Sequence, residues 1–138
     1  MKVVYLESSA VLQWLLGQSG ATDVRNTVDR AEIVLTSMLT LTESERVLLR
    51  TENHGAITGG DAQRLRGMLN RAQASWTRMR VSDEVLARAA RAFPVEPVRT
   101  LDAIHLATAL EFASTFPDLR VVSFDARIRS NAEALGIA

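Results

Sequence analysis

Four acidic residues stand where a chain could turn them to chemistry: Glu7 ends the first apolar run, Glu43 lies within a helical stretch, Asp102 opens another, and Asp125 ends a late apolar run. Oxygen ligands of this kind suit magnesium or manganese. Magnesium usually keeps several waters and takes one or two carboxylates plus substrate phosphate. Four such acids could hold one or two ions. An ion so held can activate a water and neutralise charge on a phosphodiester in hydrolysis.

Each acid also has a structural reading. Glu7 and Asp125 could cap the helices that follow them, and Asp102 could favour the positive end of its own helix. Against this, Leu101-Asp102-Ala103-Ile104-His105-Leu106-Ala107 is so apolar that a charge there needs a partner. Glu43 lies four residues from both Leu39 and Val47, and Glu45 is similarly placed between Leu41 and Leu49, so periodicity does not choose between them. The joint placement of the four acids favours the metal reading.

The other polar landmarks are weaker. His54 and His105 are the only histidines, and neither has a companion at metal-ligand spacing or in a serine-hydrolase arrangement. Each reads as a structural histidine, with a supporting role beside Asp102, one turn away, the lesser reading for His105. Trp14 reads as a core or dimer contact. From Ala62 to Ser82 there is no acidic residue, but Arg64, Arg66, Arg71, Arg78 and Arg80 occur with Trp76 among them. That stretch could meet phosphates or a partner protein, or be a solvated face.

The elements that must position these residues alternate between strand and helix. Val3 to Leu6 reads as a buried parallel strand feeding a helix capped by Ser8 or Ser9. A polar helix near Thr22 to Arg30 leads into Ile33-Val34-Leu35. A helix from Met38 to about Asn53 follows, then another from roughly Gly60 to Arg78. Met79-Arg80-Val81 reads as a short edge strand, and Ser82-Asp83-Glu84 caps a helix running toward Phe93. Thr100 is expected to cap the helix from Leu101 to about Ser114. Leu119 to Phe124 reads as the late strand, a helix covers about Ala126 to Leu135, and Ile137-Ala138 would begin a last strand. The pattern predicts a three-layer α/β/α sandwich with a central parallel sheet and right-handed crossovers. In such sheets ligands sit beyond the carboxyl ends of the strands, where Glu7 and Asp125 are expected.

Composition sets the bounds. A chain of 138 residues, 47% of them hydrophobic, suits one domain spanning residues 1–138. No run reaches the roughly 18 apolar residues of a membrane helix, and the N-terminus opens on strand-like residues, so a cytoplasmic protein without membrane contact is expected. The absence of cysteine excludes disulfides and thiolate-bound zinc. Sixteen basic and sixteen acidic side chains cancel, so any attraction for a polyanion must come from a local patch. There is no Gly-rich phosphate loop after the first strand, which sets a nucleotide-binding fold aside. A phosphatase of the aspartyl-phosphate type would want Asp where Glu7 stands.

Four segments recur in order: Tyr5-Leu6-Glu7-Ser8-Ser9-Ala10, Leu39-Thr40-Leu41-Thr42-Glu43, Arg99-Thr100-Leu101-Asp102-Ala103-Ile104-His105-Leu106-Ala107 and Ser123-Phe124-Asp125. With Asn131-Ala132-Glu133-Ala134-Leu135-Gly136 they cover almost the whole chain, which resembles a PIN-domain ribonuclease of the VapC toxin type. The resemblance implies magnesium- or manganese-dependent endonucleolytic cleavage of RNA, with tRNA or rRNA as target, a 5′-phosphate and a 3′-hydroxyl as products, a VapB-type antitoxin that blocks the site, and a homodimer. It implies that Glu43, preferred over Glu45, acts with Asp102 and Asp125 as metal ligands, and that Ser9 or Ser123 holds a ligand or water in place. Arg64, Arg71 and Arg78 become candidates for RNA or antitoxin contact. The departure is Glu7, the fourth member of the set, where the family has Asp. One methylene moves the carboxylate by roughly 1.5 Å, a large error for magnesium geometry, so impaired cleavage is expected. The alternative is a catalytically weak PIN module that binds antitoxin or RNA without cutting.

Overall fold

The computed structural model describes residues 2–138. Along these residues the elements are β1 (Val3–Leu6), α1 (Ser8–Leu15), α2 (Ala21–Arg30), β2 (Ile33–Ser37), α3 (Met38–Asn53), α4 (Gly59–Gln73), β3 (Thr77–Met79), α5 (Asp83–Ala89), α6 (Thr100–Thr115), β4 (Arg120–Val122) and α7 (Ala126–Ala134). The strands form one parallel sheet in the order β3-β2-β1-β4. Central β1 is covered on both faces, which explains why Val3-Val4-Tyr5-Leu6 is an unbroken apolar run rather than an alternating one.

Successive residues of β1 feed the two halves of the core. Val4 and Leu6 pack with Val11 and Leu15 of α1, Val24 of α2, Leu48 of α3, and Leu65 and Leu69 of α4. Val3 and Tyr5 face the other way, toward Ala109 and Phe112 of α6 and Ala132 of α7. Helix α5 lies outside α6, with Val85 against Ile104 and Ala107. The result is the three-layer α/β/α sandwich, with α1 to α4 on one face and α5 to α7 on the other. Burying a leucine as fully as Leu48 or Leu106 contributes about 2 kcal/mol relative to leaving it exposed. Because α6 touches the sheet, α5 and α7, its residues 103–109 are all buried, which is why it is apolar around its whole girth.

Several boundaries differ from the sequence expectation. Edge strand β3 lies at Thr77–Met79, two residues earlier, because its register is set by pairing of Leu35 with Thr77 and Ser37 with Met79. Helix α4 stops at Gln73, and α5 at Ala89, after which Phe93 turns back into the core. Helix α1 is capped by Glu7 rather than by Ser8 or Ser9, and α6 by Arg99 with no side-chain cap bond from Thr100. Residues Ile137 and Ala138 form no strand, although the Ile137 carbonyl accepts from the Val121 amide at 2.7 Å.

The chain leaves β1 toward β2 on one side and returns as β4 on the other. The strand order therefore reverses between β1 and β4, and the crevice at their carboxyl ends is the place where such sheets bind ligands. The Glu7 amide donates to the Val122 carbonyl at 3.1 Å across that point. Beside it the Phe124 ring lies over Gly20, where a Cβ atom would come within 2.4 Å of it. Among the described residues no helix is long and apolar enough to cross a membrane.

Candidate active site

Glu7 follows β1 directly and is only 4% exposed. Its Oε2 accepts from the Ser8 hydroxyl at 2.7 Å and the Ser9 amide at 3.0 Å. Its Oε1 accepts from the hydroxyls of Ser9 at 2.5 Å and Ser123 at 2.6 Å. The side chain thus folds back over the start of α1, where the helix dipole also favours an anion. Burial alone would push its carboxyl up, but the bonds from Ser123, Ser9 and Ser8 and from the Ser9 amide outweigh it and hold the carboxyl below its ordinary value.

Asp125 caps α7, its Oδ1 accepting from the amides of Arg127 at 2.9 Å and Ile128 at 3.1 Å, while its own amide donates to the Ser123 hydroxyl at 3.0 Å. Asp102 sits in the first turn of α6. Burial raises its carboxyl above the ordinary value, and the negative charges of Asp125 and Glu7 raise it further, against weaker opposition from His105 and Arg99. Glu7, Asp102 and Asp125 therefore share one electrostatic neighbourhood, although 118 positions separate the first from the last (125 minus 7).

Glu43 and Glu45, equivalent by periodicity, part company in space. Glu43 Oε1 meets His105 Nε2 at 2.5 Å, whereas Glu45 Oε2 accepts from Arg66 Nε of α4 at 2.9 Å. On its other side His105 Nδ1 is 2.8 Å from the Tyr5 hydroxyl. Burial raises the Tyr5 phenol well above its ordinary value, and the charges of Glu7 and then Glu43 add to that effect. Glu43 thus acts on the same strand end as Glu7.

The arginines lie in two places. Arg64 and Arg71 lie exposed on α4, with Arg64 acting on Asp61, and Arg78 on β3 bonds Gln73. The arginine that acts on Asp102 is Arg99, at the start of α6. Neither Arg99 nor the bond from His105 to Glu43 was singled out from the sequence. The signal for Arg99 was present, since three residues before Asp102 is one helical turn. The His105 bond joins two helices 62 positions apart and leaves no local trace.

The donor chemistry suits a hard divalent cation. The acids offer oxygen alone, and Asp102 is a half-buried carboxylate raised by burial and then by like charges, a repulsion that a cation would relieve. Glu7 fits less well, because both its oxygens are already taken by serine donors. Among the described residues no three His, Asp or Glu side chains are already drawn together at ligating distance.

A family model for the PIN domain matches residues 4–134. Ribonuclease VapC46 of Mycobacterium tuberculosis is 33% identical over 138 residues, covering all of this chain and 96% of that protein. Ribonuclease VapC35 of the same organism is 45% identical over 56 residues, so that match spans 41% of this chain and only 42% of the relative. The crystal structure of Mycobacterium tuberculosis VapC20, described as a sarcin-ricin loop cleaving toxin, superposes with a TM-score of 0.67 over 98% of this chain and 96% of that one, at 15% identity. At that identity the likeness concerns the fold.

Proposed function

Because the chain belongs to the PIN-domain family and has VapC ribonucleases as relatives, we propose that it is a divalent-metal-dependent endoribonuclease, the toxin of a toxin–antitoxin pair. The observation that carries this reading is the meeting of Glu7, Ser123 and Asp125 where strand order reverses, with Asp102 near enough for both acids to act on it. A carboxylate left against like charges in a half-buried place is costly to a fold and useful to a cation site.

In this reading Asp102, Asp125 and Glu43 hold the ion, and Glu7 shapes the site through Ser9 and Ser123. Magnesium or manganese, when bound, supplies an activated water and neutralises charge on the phosphoryl oxygens. Asp125 is kept in place by the two α7 amides it caps, and Glu43 by His105. Arg99, at the mouth of α6, draws the RNA phosphate toward Asp102. Cleavage of tRNA or rRNA leaves a 5′-phosphate and a 3′-hydroxyl. Arg64, Arg71 and Arg78 serve RNA or a VapB-type antitoxin. The protein works as one domain over residues 1–138, pairs with a second copy and acts in the cytoplasm.

A second reading has one specific support: all the hydrogen bonds at Glu7 leave neither oxygen free. A chain so arranged could bind RNA or antitoxin without cutting. The deciding experiment is manganese- and magnesium-dependent cleavage of a total tRNA and rRNA mixture by the wild-type chain, Glu7→Asp and Asp102→Asn. Cutting by the first two but not the third supports the ribonuclease. Cutting by Glu7→Asp alone assigns a disabling change to this chain, and cutting by neither favours the binding module.

A further inference from the structure

We propose that Tyr5 and His105 form a buried relay that positions the Glu43 carboxylate, tying down one oxygen so that the other faces the cation site; this rests on the metal-centre reading above. The relay joins three elements that are far apart in sequence: Tyr5 of β1, His105 of α6 and Glu43 of α3. Tyr5 is 0% and His105 1% exposed. The Tyr5 hydroxyl and His105 Nδ1 are 2.8 Å apart, and His105 Nε2 and Glu43 Oε1 are 2.5 Å apart.

The chemistry gives the relay a direction. A carboxylate only accepts, so the ring nitrogen facing Glu43 must carry a hydrogen. When the ring is neutral the other nitrogen is an acceptor, and the group facing it must donate. The Tyr5 hydroxyl is that donor. Without it Nδ1 is left unsatisfied in the core, and the ring loses the inner partner that fixes its angle toward Glu43. A core histidine with no further role needs its nitrogens satisfied and nothing more. Here the outer partner is a carboxylate on α3, the helix that follows the carboxyl end of β2, its side chain 22% exposed. A partly exposed glutamate samples several rotamers, and anchoring Oε1 to a ring buried in the core removes that freedom before any ligand arrives. Neither Asp102 nor Asp125 has such an anchor to the core; Asp125 is held from its own helix.

Two measurements on the intact chain test this. The His105 tautomer is read by 15N NMR on metal-free protein, and Mn2+ affinity is read by electron paramagnetic resonance, with thermal unfolding in EDTA as the check on folding. We expect Nε2–H in the wild type and weaker Mn2+ binding in Tyr5→Phe. His105→Phe should weaken Mn2+ binding by about tenfold to a hundredfold. His105→Gln, whose amide can still donate to Glu43, should restore it close to wild type. Unchanged affinity in folded His105→Phe and Tyr5→Phe overturns the proposal, as does an equal loss in the Gln and Phe variants. Should His105→Phe fail to fold, Tyr5→Phe, which removes a single oxygen, decides by itself. A wild-type chain that takes up no Mn2+ overturns the metal-centre reading instead. The metal-free spectra then judge the relay alone, and an Nδ1–H tautomer or a doubly protonated ring in the wild type overturns it.

Discussion

The Ser123 hydroxyl donates to Glu7 Oε1 at 2.6 Å across 116 positions of chain, joining the ends of the two strands between which the sheet reverses its order. The contact depends on the length of the glutamate arm. Glu7→Asp shortens it by one methylene and frees a carboxylate oxygen from the serines. The expected result is faster Mn2+-dependent RNA cleavage than in the wild type, measured as initial rates on the same RNA. A slower variant would show that this chain has adapted to the longer side chain.

The same bonds predict an acid-sensitive fold. The Glu7 carboxyl lies below its ordinary value, so the stability it contributes is present above its unfolded value and is lost as pH falls through the folded one. Glu7→Gln should flatten that acid limb and cost about 1–3 kcal/mol near neutral pH, the scale of a lost charge-assisted hydrogen bond. Urea denaturation of metal-free protein across pH checks both statements.

Asp102 behaves in the opposite sense. Its folded carboxyl is raised, so its contribution is fully present below the unfolded value and is lost as pH rises through the folded one. Metal-free Asp102→Asn should therefore be at least as stable as the wild type at neutral pH. Its Mn2+-dependent cleavage should fall by more than about a hundredfold, since loss of a mere supporting partner already costs about 10–100-fold. Unchanged cleavage would remove Asp102 from the site.

The arginines should separate by position. Arg99→Glu, at the residue that acts on Asp102, should weaken RNA binding and cleavage together. Arg64→Glu, Arg71→Glu and Arg78→Glu should weaken binding to RNA or antitoxin. Where a phosphate contact is lost, the slope of log affinity against log salt should drop by about 1. No change in either binding assay would make α4 and β3 a solvated face.

Gly20→Ala would place a methyl 2.4 Å from the Phe124 ring. The backbone of Gly20 allows any residue and the Phe124 ring is exposed, so the ring can swing aside at a cost below about 1 kcal/mol. Because the Phe124 amide donates to the Ser9 hydroxyl at 2.8 Å, the displacement should also disturb Glu7 and Ser123. Thermal unfolding and cleavage rates on one preparation would show both.

The parallel sheet was legible because β1 and β2 are short apolar runs followed by helix starts, and the placement of Glu7 at a strand end came with it, whereas β4 stops at Val122 and Asp125 stands three residues beyond it as the cap of α7. Edge strand β3 was misplaced by two residues because two of its three residues are exposed and carry no alternating pattern; pairing with Leu35 to Ser37 sets its register. Glu7, Ser8 and Ser9 all stood as caps for α1, and the sequence could not choose among them, since the reach of Glu7 to the Ser9 amide is a matter of rotamer. Glu43 and Glu45 could not be told apart from one helix alone. What separates them is Arg66 on α4 and His105 on α6, partners supplied by the tertiary fold.

The two edges of the sheet are blunted in different ways. At β4 the Ile137 carbonyl occupies the Val121 amide at 2.7 Å, and at the other margin β3 is three residues long with Arg78 in its middle. Neither margin offers a long row of open amides and carbonyls to a foreign strand. Self-association by strand addition, the usual seed of fibrils, is thereby discouraged.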